Sequence, residues 1–452
     1  MKPINRDILK LAIPSILANI TVPLVGMVDI AIAGHLDTAA ATMIGGIAIG
    51  SMLFDLLYWN FGFLRIGTGG LAAQAYGRGD KRECARILTR ALGLALAVAL
   101  FLIAIQWIFV KAAFLVVDCT PEVRQLATKY FFIRIWAAPA TLSLMALKGW
   151  FIGMQDSVSA MVCDVTVNGT NILMSFLLAL GLTIGGTVLV PAIGFSGIAA
   201  GTVIAQWTGL ITALLLILFK YRSNTMALMR KEDLKGMFKG NETRQFFVMN
   251  SDLFVRSLCF IAIYIGFTVI SARYGDVLLA VSSIIMKLLM IFSYFTDGFA
   301  YAGEALAGKY IGAKDRPGLR DTVKWTFIWS MGLAFGFMLV YQFAGVQMLK
   351  MMTSDLAVID AAKDYLPWLL LMPIVGCAAF TWDGIYIGAT ASRQMRNSML
   401  WAVVAFVSVW AVTRWGFESG LHGLMAAYFA HLLARTVYLS VDWITKRNLK
   451  LF

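Results

Sequence analysis

The chain alternates between long apolar segments and short polar stretches along its whole length. Segments such as Leu92–Val110, Leu173–Val190 and Trp325–Val340 approach or reach the roughly twenty residues that a helix needs to cross a hydrocarbon core of about 30 Å. Apolar runs of this kind begin near residues 8, 43, 86, 123, 157, 194, 246, 278, 321, 358, 398 and 422. The pattern predicts an all-α integral membrane protein with twelve transmembrane helices.

The clearest polar interruption divides the predicted helices into two groups of six. Residues 220–244 contain seven Lys and Arg side chains between the sixth and seventh helices. We therefore predict an amino-terminal lobe over 1–219, a cytoplasmic linker over 220–244 and a carboxy-terminal lobe over 245–452.

Lys and Arg concentrate in alternate loops of this arrangement. They occur at the amino terminus, in the loops 78–82, 314–320 and 393–396, in the linker and in the tail 446–450. Loops rich in Lys and Arg face the cytoplasm in membrane proteins. We expect both termini to be cytoplasmic and the protein to be a multi-pass protein of the cell inner (plasma) membrane.

The two groups of helices share motifs at a constant spacing. Leu71–Asp80 aligns with Leu306–Asp315, and Gly149–Gly153 aligns with Gly384–Gly388; both pairs are 235 positions apart (306 against 71, 384 against 149). Because each half holds an even number of helices, the repeat is parallel, with its axis along the membrane normal. The sequence predicts two pseudo-symmetric six-helix lobes with a substrate route between them.

Composition excludes several classes of function. Hydrophobic residues make up 60% of the chain and charged residues 14%, whereas soluble domains carry about a quarter charged residues. The net charge of +13 is spread over loops rather than along one helical face, so we expect a lipid bilayer as the surroundings and no nucleic-acid partner. The sequence contains neither a phosphate-binding loop nor a cluster of metal ligands or catalytic groups. We expect no enzyme activity, no cofactor and no metal; a channel or a scaffold remains compatible with the composition.

Asp29 is the first acidic side chain inside a predicted helix. A carboxylate at the bilayer centre costs roughly 2.5 to 3.5 kcal/mol on insertion scales, so it requires a partner, a proton or a water-filled cavity. Two roles fit its position: a helix cap near the outer interface, or a buried site that binds a proton or a cation.

A polar stripe follows the predicted fifth helix. Asn168, Asn171 and Ser175 lie three and four residues apart and therefore share one face. Such a stripe can solvate Asp29, or it can form ordinary interhelical hydrogen bonds worth about 0.6 kcal/mol each.

Four further charged side chains have simpler interpretations. Asp252 and Arg256 are spaced for an intrahelical ion pair near the cytoplasmic end of the seventh helix. Asp55 in the second helix and Asp164 at the start of the fifth are weaker candidates for a functional site, and Asp164 is expected at the inner interface.

The second half has its own candidate polar site or gate. Lys287, in the eighth helix, can line a cavity or pair with an acid. Asp297, Glu304 and Asp383 lie next to glycines and can serve tight packing or gating.

Several segments together resemble the multidrug and toxic-compound extrusion (MATE) transporters, and specifically the DinF-like branch. The similarity covers nearly the whole chain and depends on these segments: Asn19–Leu36 (NITVPLVGMVDIAIAGHL), Gly69–Gly77 (GGLAAQAYG), Asp297–Glu304 (DGFAYAGE), Asp383–Thr390 (DGIYIGAT) and Met395–Ser398 (MRNS). The resemblance implies two six-helix lobes that form a V, with export driven by proton or sodium entry.

The resemblance also implies roles for individual side chains. Asp29 corresponds to the coupling acid of that branch, Asn171 and Thr202 to its hydrogen-bond network, and Pro14 to a hinge proline of the first helix. Ser175 stands where family members commonly have a second acid. With one carboxylate fewer, a proton is favoured over sodium as the coupling ion, although hydroxyl and carbonyl oxygens can also bind hard cations.

The expected function is that of a secondary active multidrug exporter. It would exchange protons, or sodium ions, for amphipathic and often cationic small molecules such as drugs or toxic organic compounds. The alternative is a flippase for lipid-linked precursors from the same superfamily, which would need a wide cationic cavity. A route contained within one chain permits a monomer.

Overall fold

The structure is a computed structural model that describes residues 3–34, 40–115, 117, 119–184, 187–222, 227, 241–353, 355–417 and 419–445. Most of the linker predicted over 220–244, and the basic tail 446–450, lie outside the described residues. The remainder is almost entirely helical, as the long apolar segments predict.

The amino-terminal half consists of helices and one short hairpin. A 3-10 turn, Ile135–Ala137, joins the fifth helix to the sixth, and the two strands pair antiparallel. The elements are α1 (Pro3–Gly34), α2 (Ala40–Trp59), α3 (Phe63–Gly77), α4 (Lys81–Ala113), α5 (Pro121–Arg134), α6 (Ala138–Gly153), α7 (Ser157–Leu180), β1 (Leu182–Ile184), β2 (Thr187–Val190) and α8 (Phe195–Lys220).

The carboxy-terminal half repeats the helical pattern without a hairpin among its described residues. Its elements are α9 (Asn241–Ala272), α10 (Asp276–Gly312), α11 (Arg316–Met352), α12 (Leu356–Lys363), α13 (Leu366–Gly388), α14 (Ser392–Gly416) and α15 (Gly420–Thr445).

The predicted number of spans is confirmed. Within the described residues, eleven helical segments are long and apolar enough to cross a membrane, and a twelfth results if α2 and α3, bent by 40°, count as one. The predicted start of the tenth helix, near 358, falls in the short α12. The spanning helix α13 begins only at Leu366. Pro367 occupies its first turn, where the N–H that proline lacks would have no helical acceptor.

Matching turns mark one end of the bundle in both halves. Asp80 and Asp315 each accept a hydrogen bond from the backbone N–H three residues later, at 2.9 and 3.0 Å, and so cap α4 and α11. The residues before them, Gly79 and Lys314, both have positive φ, at 73° and 58°. We call the end of the bundle with these two turns the base, and the opposite end the far end.

Glycines allow equivalent close contacts inside each lobe. A Cβ on Gly149 would lie 2.1 Å from the carbonyl oxygen of Arg65, and a Cβ on Gly384 would lie 2.0 Å from that of Ala300. Both members of the first pair are 235 positions before their counterparts in the second. The internal repeat inferred from sequence is therefore a repeat of backbone packing, and the two lobes are pseudo-symmetric.

Glycines also join the lobes to each other at the base. A Cβ on Gly77 of α3 would lie 2.0 Å from the carbonyl oxygen of Lys309, and a Cβ on Gly312 of α10 would lie 2.1 Å from that of Gln74. The contacts are reciprocal, as a two-fold axis between the lobes requires. Backbone touches backbone here, so the base is closed.

Towards the far end the lobes separate. Near the base, Gly298 of α10 packs on Ile16 of α1, and the Asn19 amide donates to the carbonyl oxygen of Tyr294 at 3.1 Å. Beyond that point α1 becomes exposed: Met27 is 67% exposed, and a Cβ on Gly26 would meet no atom within 4 Å. The lobes form the V that the family resemblance implied, open at the far end; we call the space between its arms the cleft.

Substitution of Gly77 by Ala tests this closure. The added Cβ must displace the Lys309 backbone, and overpacking of this kind costs about 1 to 3 kcal/mol. We expect the thermal unfolding midpoint to be several degrees lower than that of the wild type. It is measured in detergent by tryptophan fluorescence.

The matched control is Gly336→Ala on α11, where a Cβ would meet nothing within 4 Å. This variant should keep or slightly raise the midpoint, because Ala favours a helix over Gly. Equal effects of the two substitutions would contradict a tight glycine contact between the lobes.

Candidate functional site

Asp29 lies inside the amino-terminal lobe. It is only 6% exposed, and α1 continues beyond it to Gly34, so its side chain points into the lobe rather than capping the helix. Ser175 of α7 and Arg134 of α5 are close enough to interact with the carboxylate. Its Oδ1 atom is buried with no hydrogen-bond partner among the described protein groups.

The polar residues of α7 and α8 form a connected network beside Asp29. Ser175 donates to the Asn171 side-chain oxygen at 2.9 Å, and Asn171 donates to the Thr202 hydroxyl at 3.2 Å. Thr202 in turn donates to the carbonyl oxygen of Ile198 at 3.3 Å. All three side chains are at most 4% exposed. The structure brings together Asp29, Asn171, Ser175 and Thr202, as the sequence and the family resemblance indicated.

The same face of α7 continues towards the base. Asn168 donates to the Thr21 hydroxyl of α1, and four residues earlier Asp164 pairs with Lys148 of α6 at 2.7 Å. Asp164 is therefore an ion-paired residue between two helices. With Arg65 it lines a cavity of about 60 Å³ between the lobes, which is room for a water or two.

Pro14 lies within α1, and its missing N–H leaves the carbonyl oxygen of Lys10 without its helical donor. The Ser157 hydroxyl, at the start of α7, donates to that oxygen at 3.2 Å. The first turns of α1 are thus tied to α7 at the proline.

The predicted ion pair between Asp252 and Arg256 is wrong. Asp252 pairs with Arg396 of α14 at 2.6 Å and accepts from Ser392 at 2.8 Å. Arg256 pairs with Asp383 of α13 at 2.5 Å. Helical spacing made an intrahelical pair possible, but bonds to neighbouring helices satisfy both charges inside the lobe.

Asp383 holds two guanidinium groups. Its Oδ2 accepts from both Arg256 and Arg435, and Arg435 is 1% exposed. Asp297 of α10 is half-buried and interacts electrostatically with Arg65, Arg256 and Asp383. The predicted polar site of the second half is therefore a cluster in which cations balance the acids.

Glu304 joins the two lobes. Its carboxylate pairs with Arg65 of α3 at 3.1 Å, and the Arg65 guanidinium lies 4.4 Å from the ring centroid of Tyr301. Glu304 is fully buried, and a Cβ on Gly69 would lie 2.0 Å from its Oε1 atom. The ion pair therefore links α3 of one lobe to α10 of the other beside the closed base.

Lys287 is exposed on α10 and is not part of this cluster. It lies eleven residues, or three helical turns, before Gly298, on the face of α10 that packs on α1 nearer the base. At the level of Lys287 the lobes have separated, so its side chain faces the cleft.

Two arginines of the site, Arg65 and Arg134, were not among the residues predicted from the sequence. Arg134 donates to the Tyr130 hydroxyl at 3.1 Å and interacts with both Asp29 and Asp55. Both arginines lie inside apolar segments, and the rule that drew attention to the intramembrane acids applies equally to intramembrane cations.

Comparison with known proteins finds relatives that match nearly the whole chain. The chain is 34% identical over 441 residues to the DNA damage-inducible protein F of Escherichia coli (strain K12), covering 97% of this chain and 92% of the relative. It is 24% identical over 452 residues to a probable multidrug resistance protein NorM of Photorhabdus laumondii, covering 96% and 95%.

Solved structures share the fold. An outward-facing multidrug resistance transporter of the MATE family aligns with a TM-score of 0.84 and 15% identity, covering 99% of this chain and 96% of that one. A MATE protein in a bent conformation aligns with a TM-score of 0.81 and 15% identity, covering 99% and 95%.

The MatE family model matches residues 14–177 and 253–412, one segment in each lobe. The family resemblance noted in the sequence is confirmed, and the chain belongs to the MatE family of multidrug efflux transporters, whose members are multi-pass membrane proteins and not enzymes.

Proposed function

We propose that this protein is a secondary active antiporter that exchanges incoming protons for outgoing amphipathic small molecules. The observation that carries the proposal is the burial of Asp29 beside the Asn171–Ser175–Thr202 network, in a lobe that borders a cleft open at one end. An ionisable group inside a membrane span is a functional candidate by default, since its burial is costly.

The base would face the cytoplasm and the far end the outside of the cell inner membrane. The loops at the base and the first helical turns after them contain Arg78, Lys81, Lys314, Arg316 and Arg393, and such basic segments stay on the cytoplasmic side. In this orientation both termini are cytoplasmic and the V is open outwards. The structure then corresponds to the state that takes up protons and releases substrate.

Protonation of Asp29 would drive the change. The charged carboxylate has an unpartnered buried oxygen, which is unfavourable. A proton removes that charge and creates a donor, so the hydrogen bonds of Asn171 and Ser175 must rearrange. Because Asp29 is on α1, rearrangement would move the outer half of α1 about Pro14, whose neighbourhood is fixed by Ser157.

A proton fits the site better than a sodium ion. The network contains one carboxylate, and the Asn171 side-chain oxygen already accepts from Ser175. A hard cation needs several oxygen ligands at once. Sodium is the second candidate, and the vesicle experiment below distinguishes the two ions.

The substrates would be drugs or other toxic organic compounds, which is in keeping with the multidrug resistance protein among the relatives. A flippase for lipid-linked precursors is the alternative. It is disfavoured because a pyrophosphate headgroup would need a wide cationic cavity, whereas the cleft lining includes an exposed acid, Asp55. Since both lobes belong to one chain, a monomer suffices.

Substitution of Asp29 by Asn is expected to abolish proton-driven efflux of rhodamine 6G from reconstituted vesicles. Asn keeps the shape but cannot exchange a proton. The control is Asp360→Asn on α12, an exposed acid paired with Lys363, which should transport at the wild-type rate. Imposed proton and sodium gradients are applied separately to each protein.

Undiminished proton-driven efflux by the Asp29 variant would rule out Asp29 as the coupling site. Efflux driven by sodium alone, and lost in the variant, would replace the proton by sodium. A wild type that moves no dye under either gradient would favour the flippase.

The pair Arg65–Glu304 is expected to act as a latch that holds the base closed. Glu304→Gln leaves Arg65 partly buried without its counter-charge, and loss of one partner of a buried pair costs about 3 to 5 kcal/mol. We expect a water-soluble maleimide to label a cysteine introduced at the base faster than in the wild type. We also expect transport to be slower.

The double variant Arg65→Met with Glu304→Met separates a latch from a purely structural pair. Apolar replacement of both partners should restore the thermal midpoint. If the pair is a latch, base labelling stays fast and transport stays slow. Recovery of all three properties would identify the pair as structural only.

A further inference from the structure

Lys287 projects from the cleft wall of the carboxy-terminal lobe near the middle of the membrane. It is eleven residues from the start of α10 at the far end, or about 17 Å along the helix axis. A hydrocarbon core is about 30 Å thick, so this depth is close to its centre. A cation at that depth requires water or a negative partner.

No acid on α10 can serve as that partner. The residues within one turn of Lys287 are apolar or Ser283, and Asp297 is ten residues away, about 15 Å along the axis. No hydrogen bond or ion pair to Lys287 occurs within the part of the chain that the structure describes.

Asp383 of α13, an acid of the same lobe, already has partners of its own. Asp383 accepts from Arg256 and Arg435 through one carboxylate oxygen, so two cations share its charge. Arg256 is itself 15% exposed. Within the described residues, Lys287 therefore has no acid partner on this wall of the cleft.

The opposite wall differs in character. Asp55 of α2 is exposed and lies close enough to Tyr264 and Tyr294 of the other lobe to interact with them electrostatically. Between the charged groups, α1 exposes apolar side chains such as Leu24 and Met27. The cleft thus offers an apolar surface with Lys287 on one wall and, on the other, Asp55, which also interacts with Arg134.

We propose that Lys287 binds an anionic group of the transported molecule, so that the substrates include amphiphiles carrying a single carboxylate or sulfonate, and zwitterions among them. This inference rests on the proposed function, because it assigns the cleft of the exporter to substrate. The apolar body of such a molecule would lie against α1, and a positive group, where present, would face Asp55.

Binding of two dyes to the purified protein tests the assignment. The anionic probe is 8-anilinonaphthalene-1-sulfonate and the cationic probe is rhodamine 6G, with dissociation constants measured by fluorescence titration. The variants are Lys287→Gln and Lys287→Glu. The matched control is Lys350→Gln, another exposed lysine of a spanning helix, near the far end of α11.

We expect Lys287→Gln to weaken binding of the anionic dye about tenfold, the loss of one charge-assisted contact, and to leave rhodamine 6G within about twofold. Lys287→Glu should weaken the anionic dye further and tighten rhodamine 6G. Lys350→Gln should change neither. Since Lys287 is exposed, these variants should fold.

Three outcomes would overturn the inference. The first is unchanged binding of the anionic dye to Lys287→Gln, and the second is the absence of saturable binding of that dye to the wild type. The third is an equal loss of affinity for both dyes in Lys287→Gln, which would point to a gate between Lys287 and Asp55. Failure of the proposed function has a different signature: both dyes bind, and neither is moved by a proton or sodium gradient.

Discussion

The cost of placing charge in a hydrocarbon layer determines how this molecule is organised. Most of the intramembrane charges are neutralised by side chains of other helices: Glu304 by Arg65, Asp164 by Lys148, and Asp383 by two arginines. Asp29 and Lys287 have no such ion pair within the described residues. Asp29 is buried beside a hydrogen-bond network and Lys287 faces the cleft, which are the positions where a proton and a substrate would bind.

Closure of the base provides the second constraint. Gly77 and Gly312 let the backbones of the two lobes touch, and Gly69 leaves room for Glu304. An interface of this kind has two discrete arrangements rather than a continuum, because a close-packed contact is either made or broken. A proton on Asp29 and a substrate in the cleft can bias that choice only through different affinities for the two arrangements.

Much of this architecture is predictable from sequence. The apolar runs and the alternate basic loops are local patterns, and the repeat of 235 positions is visible as matching motifs in the two halves. The grouping of Asp29 with Asn171 and Ser175 follows from helical spacing and the family resemblance. Ion-pair partners do not follow from spacing. Asp252 pairs with Arg396, which is 144 residues away, and not with Arg256, which is one helical turn along. The packing of helices decides which charges meet, and proximity in the chain does not.

The most direct test of proton coupling at Asp29 is the number of protons released when rhodamine 6G binds to the purified protein in weakly buffered detergent solution near neutral pH. If proton and substrate exclude each other through Asp29, the wild type should release up to about one proton for each dye bound, and Asp29→Asn should release none. Equal release by the two proteins, or no release by a wild type that binds the dye, would contradict the mechanism.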